Sequence, residues 1–87
     1  MPTRYAIEIA PAAERQMRRL DRSIRERIDA AILDLADGPR PRGTKKLSGE
    51  EGLYRVRVAD HRVVYAIRDR ALVVLILKVA HRRDVYR

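Results

Sequence analysis

Arg55, Arg57 and Arg62 are the residues of this chain least easily explained as packing. They lie in Tyr54-Arg55-Val56-Arg57-Val58 and His61-Arg62-Val63-Val64-Tyr65, two alternating, β-branched runs that predict strands. Side chains alternate across a strand, so Arg55 and Arg57 share one face while Tyr54, Val56 and Val58 share the other. With Ala59-Asp60 as a two-residue turn, Val58 pairs with His61, Arg57 lies opposite Arg62, and Val64 faces Arg55. Like charges gathered this way repel one another unless an anion sits among them. The guanidinium fork matches phosphate geometry, so a phosphodiester is the expected anion. The competing expectation is that these arginines pair with Asp60, Asp69, Asp84, Glu50 or Glu51.

The chain closes on His81-Arg82-Arg83-Asp84-Val85-Tyr86-Arg87. Arg82 and Arg83, just past the last predicted strand, bring further positive charge to the same site. Cleavage of RNA needs a group to take the proton of the ribose 2′-OH, positive charge for the phosphorane, and a donor to the leaving 5′-oxygen. Arginine meets only the second need, because its guanidinium stays protonated near neutrality. Proton transfer is left to Tyr86 or His81, and clustered guanidiniums would move both of their pKa values towards neutrality. His61 at a turn reads as a surface histidine, and a terminal tyrosine ordinarily only packs a chain end. There is no Gly-rich phosphate loop and no nucleophile motif, and two histidines without cysteine make no convincing metal site, so no cofactor is expected.

These groups must be positioned by few elements. Residues 5–9 alternate as a half-buried strand. Pro11 suits a first helical position, and Ala13, Met17 and Leu20 recur at helical spacing in a helix ending near Leu20-Asp21. A second helix is capped by Asp21, or by Ser23 with Glu26 as a capping box; it carries the stripe Ile24, Ile28, Ala31, Ile32 and Leu35 and stops at Gly38-Pro39. Residues 37–52 hold glycines and prolines with Arg40, Arg42, Lys45 and Lys46, and are expected to form a basic loop. Strands follow at about 53–58, 61–68 and 71–80, with turns at Ala59-Asp60 and Asp69-Arg70. The last is apolar almost throughout and belongs centrally, beside strand one. The expectation is an α+β fold of order β-α-α-β-β-β, with a helical hairpin on one face of a small, mainly antiparallel four-stranded sheet. The arginine face is left open.

Eighty-seven residues suit one domain spanning 1–87. The core must be aliphatic, because there is no Phe or Trp. The 20 basic against 12 acidic residues give a formal charge of +8, which points to a polyanion or an acidic protein surface as partner. The absence of cysteine fits a reducing compartment, with the cytoplasm as default. Neither a signal sequence nor a membrane span is legible in the chain.

The order and spacing of Ala10-Pro11-Ala12-Ala13, Lys46-Leu47-Ser48-Gly49, Leu53-Tyr54-Arg55-Val56-Arg57, His61-Arg62-Val63-Val64-Tyr65 and the closing segment to Tyr86 resemble the RelE/ParE superfamily of bacterial type II toxins, covering essentially the whole chain. For the RelE-like branch the resemblance implies ribosome-dependent cleavage of mRNA in the A site, by 2′-OH attack and without metal. It further implies a hetero-oligomer with a cognate antitoxin, and contact with operator DNA only through that complex. By position, Arg62 and Arg82 fall on phosphate-contacting and transition-state arginines, and Tyr86 on a tyrosine that helps proton transfer, with His81 beside that set. Arg55, Arg57, Lys45, Lys46 and Arg83 complete the expected RNA-phosphate contacts. Arg55 and Arg57 stand where relatives often carry lysine, which shifts the burden of proton transfer to Tyr86 or His81. The alternatives within the superfamily are a ParE-like inhibitor of DNA gyrase and a non-catalytic partner in antitoxin or operator binding.

Overall fold

The computed structural model describes residues 4–47, 52–81 and 83. Its elements run β1 (Ala6–Ile9), α1 (Pro11–Arg18), α2 (Arg22–Asp37), β2 (Lys45–Lys46), β3 (Leu53–Val58), β4 (His61–Arg68) and β5 (Val73–His81). The sheet order is β1-β5-β4-β3-β2; β1 runs parallel to β5 and every other pair is antiparallel. The apolar last strand is therefore internal and flanked by strand one, as its composition predicts.

Pro11 opens α1, where its missing N–H costs nothing, and Ala10 before it is extended (φ −64°, ψ 148°). α1 stops at Arg18, two residues before the expected end, and Arg19 and Leu20 close it by donating to the Gln16 and Met17 carbonyls. Asp21 precedes α2, but no side chain caps the helix. Glu26, expected to complete a capping box, instead accepts from Arg22 Nε at 3.1 Å. Exposed i,i+4 pairs of this kind contribute only about 0.3–0.5 kcal/mol, so α2 is held by its apolar stripe. Ile28, Ile32 and Leu35 of that stripe are buried with Ala13 and Met17 of α1 against Val58, Val63, Tyr65, Ile67, Val74, Ile76 and Val79.

Two expectations about the sheet are corrected, and one irregularity is added. It has five strands rather than four, because Lys45 and Lys46, expected in a loop, pair with Arg55 and Tyr54, and Leu47 N–H donates to the Leu53 carbonyl. Two paired residues flanked by Gly43 and the chain's Ser48-Gly49 leave no alternation to read. The final strand starts at Val73 rather than 71, because the connection extends over residues 69–72 and Leu72 adopts a left-handed φ of 57°. Finally, β5 carries an extra residue, Leu77, so that Val64 faces Lys78 while Tyr65 faces Ile76. β1 ends opposite Ile76, and past that point the Val79 N–H is taken by Gln16 Oε1 of α1 at 2.7 Å.

Candidate functional site

The β3–β4 hairpin has the predicted register: Val58 with His61, Arg57 with Arg62, Val56 with Val63, and Arg55 with Val64. Ala59 permits the two-residue turn by taking a φ of 54°. Val63, Tyr65 and Ile67 are buried beneath the helices, so Arg55, Arg57 and Arg62 project from the opposite face. β2 adds Lys45 directly beside Arg55. Together with Gly43 these four cations line an open cleft of about 260 Å³. Gly43 sits at φ 90° in a turn closed by Thr44 N–H donating to the Pro41 carbonyl, the position where a type II turn requires glycine.

Arg57 is fixed by donating from Nε to the Ala59 carbonyl at 3.0 Å, which holds its guanidinium along the hairpin. Asp69, one carboxylate expected as a neutralising partner, is committed elsewhere. It accepts from Arg40 at 2.9 and 3.3 Å and from the Tyr5 hydroxyl at 2.6 Å. Those hydrogen bonds hold the Asp69 carboxyl below the usual carboxylate range, first through Arg40 and then through Tyr5. Glu50, Glu51 and Asp84 lie outside the described residues.

The sheet separates other residues expected at the same site. His81 lies directly across from His61, with ring centroids 5.3 Å apart and edge to face. Strand alternation puts both on the side of Val63 and Val79, where Gln16 of α1 and Arg19 and Leu20 just past that helix share their cleft. Ala80, not His81, is Arg62's neighbour on β5. His81 Nδ1 accepts from the Arg83 backbone N–H at 3.3 Å. Burial lowers the His61 pKa, and the neighbouring His81 lowers it further against a small opposing effect of Asp60. Lys46 likewise turns to the side opposite Lys45. Arg82 and Tyr86 lie outside the described residues, and Arg83 is described two positions past the end of β5.

Sequence reasoning missed the groups that fix the rim of the cleft. Tyr65, the largest fully buried side chain, donates its hydroxyl to the Pro39 carbonyl at 2.8 Å and lies 3.3 Å from Thr44 Oγ1. Its pKa is raised chiefly by burial. Arg40 is clamped between Asp69 and Tyr54, with Nε 3.3 Å from the Tyr54 hydroxyl and its guanidinium 5.1 Å from that ring's centroid. Residues 38–44 are thus tied to the sheet from below and at the edge. Partners 26 and 29 positions apart leave no local signal.

Two helices on one side of a sheet and clustered cations on the other define a class of small basic α+β proteins. The chain belongs to the family described as ParE toxin of type II toxin-antitoxin systems, parDE, whose model matches residues 7–86. It is similar to Toxin RelE of Mycobacterium tuberculosis, at 35% identity over 88 residues covering 95% of this chain and 87% of that protein. The fold is shared with the archaeal RelE–RelB complex from Pyrococcus horikoshii, with a TM-score of 0.81, 29% identity and coverage of 94% of this chain and 97% of that one. The toxin-antitoxin complex RelBE2 of M. tuberculosis matches with a TM-score of 0.78, 28% identity and coverage of 90% and 98%. The superfamily resemblance of the sequence is therefore borne out, and the α+β fold with it.

Proposed function

We propose that this chain is the toxin of a type II toxin-antitoxin pair and acts as a ribosome-dependent, metal-independent endoribonuclease on mRNA. The observation that carries the reading is the cleft in which Lys45, Arg55, Arg57 and Arg62 converge on the helix-free face of the sheet. Preorganised cations are most effective at a developing phosphorane, where charge accumulates and water is reduced. Arg55, Arg57 and Lys45 hold the phosphate, and Arg62 with Arg82 neutralises the transition state. Tyr86 transfers the proton. His81, on the helix side with His61, holds the end of β5 to Arg83 instead. The ribosome supplies orientation of the 2′-OH, worth ~7–11 kcal/mol in well-positioned reactions.

The solved relatives described as complexes with RelB support a cognate antitoxin as partner in a hetero-oligomer. The +8 charge of this chain favours a partner whose contact surface is acidic. Any operator contact would run through that complex.

The ParE description of the matching family supports a second reading, inhibition of DNA gyrase. One comparison separates the two. Expression should stop translation and break messages in reading-frame register, while purified protein leaves gyrase supercoiling intact. Intact messages in arrested cells, together with blocked supercoiling, would replace the first reading by the second.

A further inference from the structure

β2 is only two residues long, and its two lysines point to opposite sides of the sheet edge. Lys45 completes the arginine cleft. Lys46 enters a second groove of about 370 Å³ lined by Arg40, Gly52, Tyr54, Arg68 and Asp69. A basic band therefore continues around the edge strand from one groove to the other.

The second groove is charged, and its charges are unequal in role. Arg40 and Asp69 neutralise each other through their ion pair. Among the described residues, Lys46 and Arg68 join no ion pair, so the described lining of the groove carries two net positive charges. Gly52 keeps its floor open. At φ 78° it adopts a conformation other residues resist, and a Cβ there would meet the Ile67 carbonyl oxygen at 3.3 Å and the Arg68 guanidinium at 3.7 Å. The Tyr54 ring is not available to stack a base, because the Arg40 guanidinium lies over it and Tyr65 stacks against it at 6.1 Å. Cations without a stacking platform suit a phosphate backbone and carry no base readout.

We propose that this groove is a second RNA-backbone site, distinct from the arginine cleft, in which Lys46 and Arg68 hold phosphates that are not cleaved. RNA passing around the β2 edge contacts Lys45 on one side and Lys46 on the other. The choice of RNA rests on the function proposed above, whereas the groove itself rests on geometry.

The test is equilibrium binding of a fluorescently labelled RNA hairpin of about 20 nucleotides across a salt series, with single-turnover mRNA cleavage on ribosomes measured in parallel. Lys46→Ala/Arg68→Ala should weaken hairpin binding about tenfold and reduce the slope of log K against log salt by about 1.4 to 1.8, the range for two lost phosphate contacts. The charge-keeping variant Lys46→Arg/Arg68→Lys should restore both, and the saturating cleavage rate of the alanine variant should equal that of the wild type. Unchanged affinity and slope would overturn the groove while leaving the endoribonuclease reading untouched. A fall in the saturating rate equal to that of Arg57→Ala would overturn its separateness from the cleft. Weakened hairpin binding in a protein that cleaves no message would keep the groove and remove the nuclease.

Discussion

Asp69 receives Arg40 from a segment 29 residues away and joins it through two hydrogen bonds, of 2.9 and 3.3 Å, while Tyr5 donates to the same carboxylate. This junction ties the loop after α2, the start of β1 and the β4–β5 turn together beside the β2 edge. Its electrostatics make the tie pH-dependent. The folded carboxyl titrates below its unfolded value, so the pair's contribution is full above the ordinary carboxylate pKa and is lost as pH falls through the folded one. Asp69→Asn should melt below the wild type at pH ~7, and the two melting curves should converge towards pH ~2. A constant gap in thermal melts across that range would contradict the assignment.

Tyr65→Phe should cost about 1–3 kcal/mol in urea unfolding, because the Pro39 carbonyl loses its buried donor while ring packing is kept. Tyr65→Ala should cost more, about 3–5 kcal/mol, the range for emptying a large aromatic site. The Phe variant should also loosen residues 38–44, read as faster amide exchange at Thr44.

Arg57→Ala separates function from folding. The guanidinium stands opposite Arg62 and is exposed at the hairpin end, so its removal relieves repulsion and leaves the melting temperature equal or higher. Cleavage of ribosome-bound message should fall on the order of 10²-fold, as for loss of one preorganised charge. A full cleavage rate would remove Arg57 from the site.

Tyr86→Phe should lower single-turnover cleavage while ribosome binding is retained, the pattern of an interaction made in the transition state. Equal rates for variant and wild type would move proton transfer to another group.

His61 binds its proton more weakly in the folded chain than in the unfolded one. Above the ordinary histidine pKa of about 6.5 both states are neutral and stability is indifferent to this group. As pH falls below that value the unfolded state protonates first, so stability declines until the folded pKa is passed. His61→Gln should flatten that decline between pH ~7 and ~5. Denaturation midpoints of the two proteins at each pH give the comparison.

Much of the cleft was legible in the chain because strand alternation is a local rule. Once Tyr54-Arg55-Val56-Arg57-Val58 and His61-Arg62-Val63-Val64-Tyr65 face one another across Ala59-Asp60, the opposition of Arg57 and Arg62 follows from counting. The helical stripe through Ile28, Ile32 and Leu35 was legible for the same kind of reason, and it decides which face stays open. The exclusion of Phe and Trp from the core and the excess of positive charge likewise required no coordinates.

Tertiary structure alone decided what depends on partners distant in sequence. β2 exists because β3 offers an edge to two residues that have no strand pattern of their own, and that pairing sends Lys45 and Lys46 to different grooves. The extra residue at Leu77 is set by the meeting of β4 with β5, and the same pairing places His81 with His61 instead of with Arg62. Arg40, Asp69 and Tyr65 looked like ordinary loop, turn and strand residues until the fold brought them together. The arginine face was written in local periodicity, while its rim and its second side were set by long-range closure that no local pattern encodes.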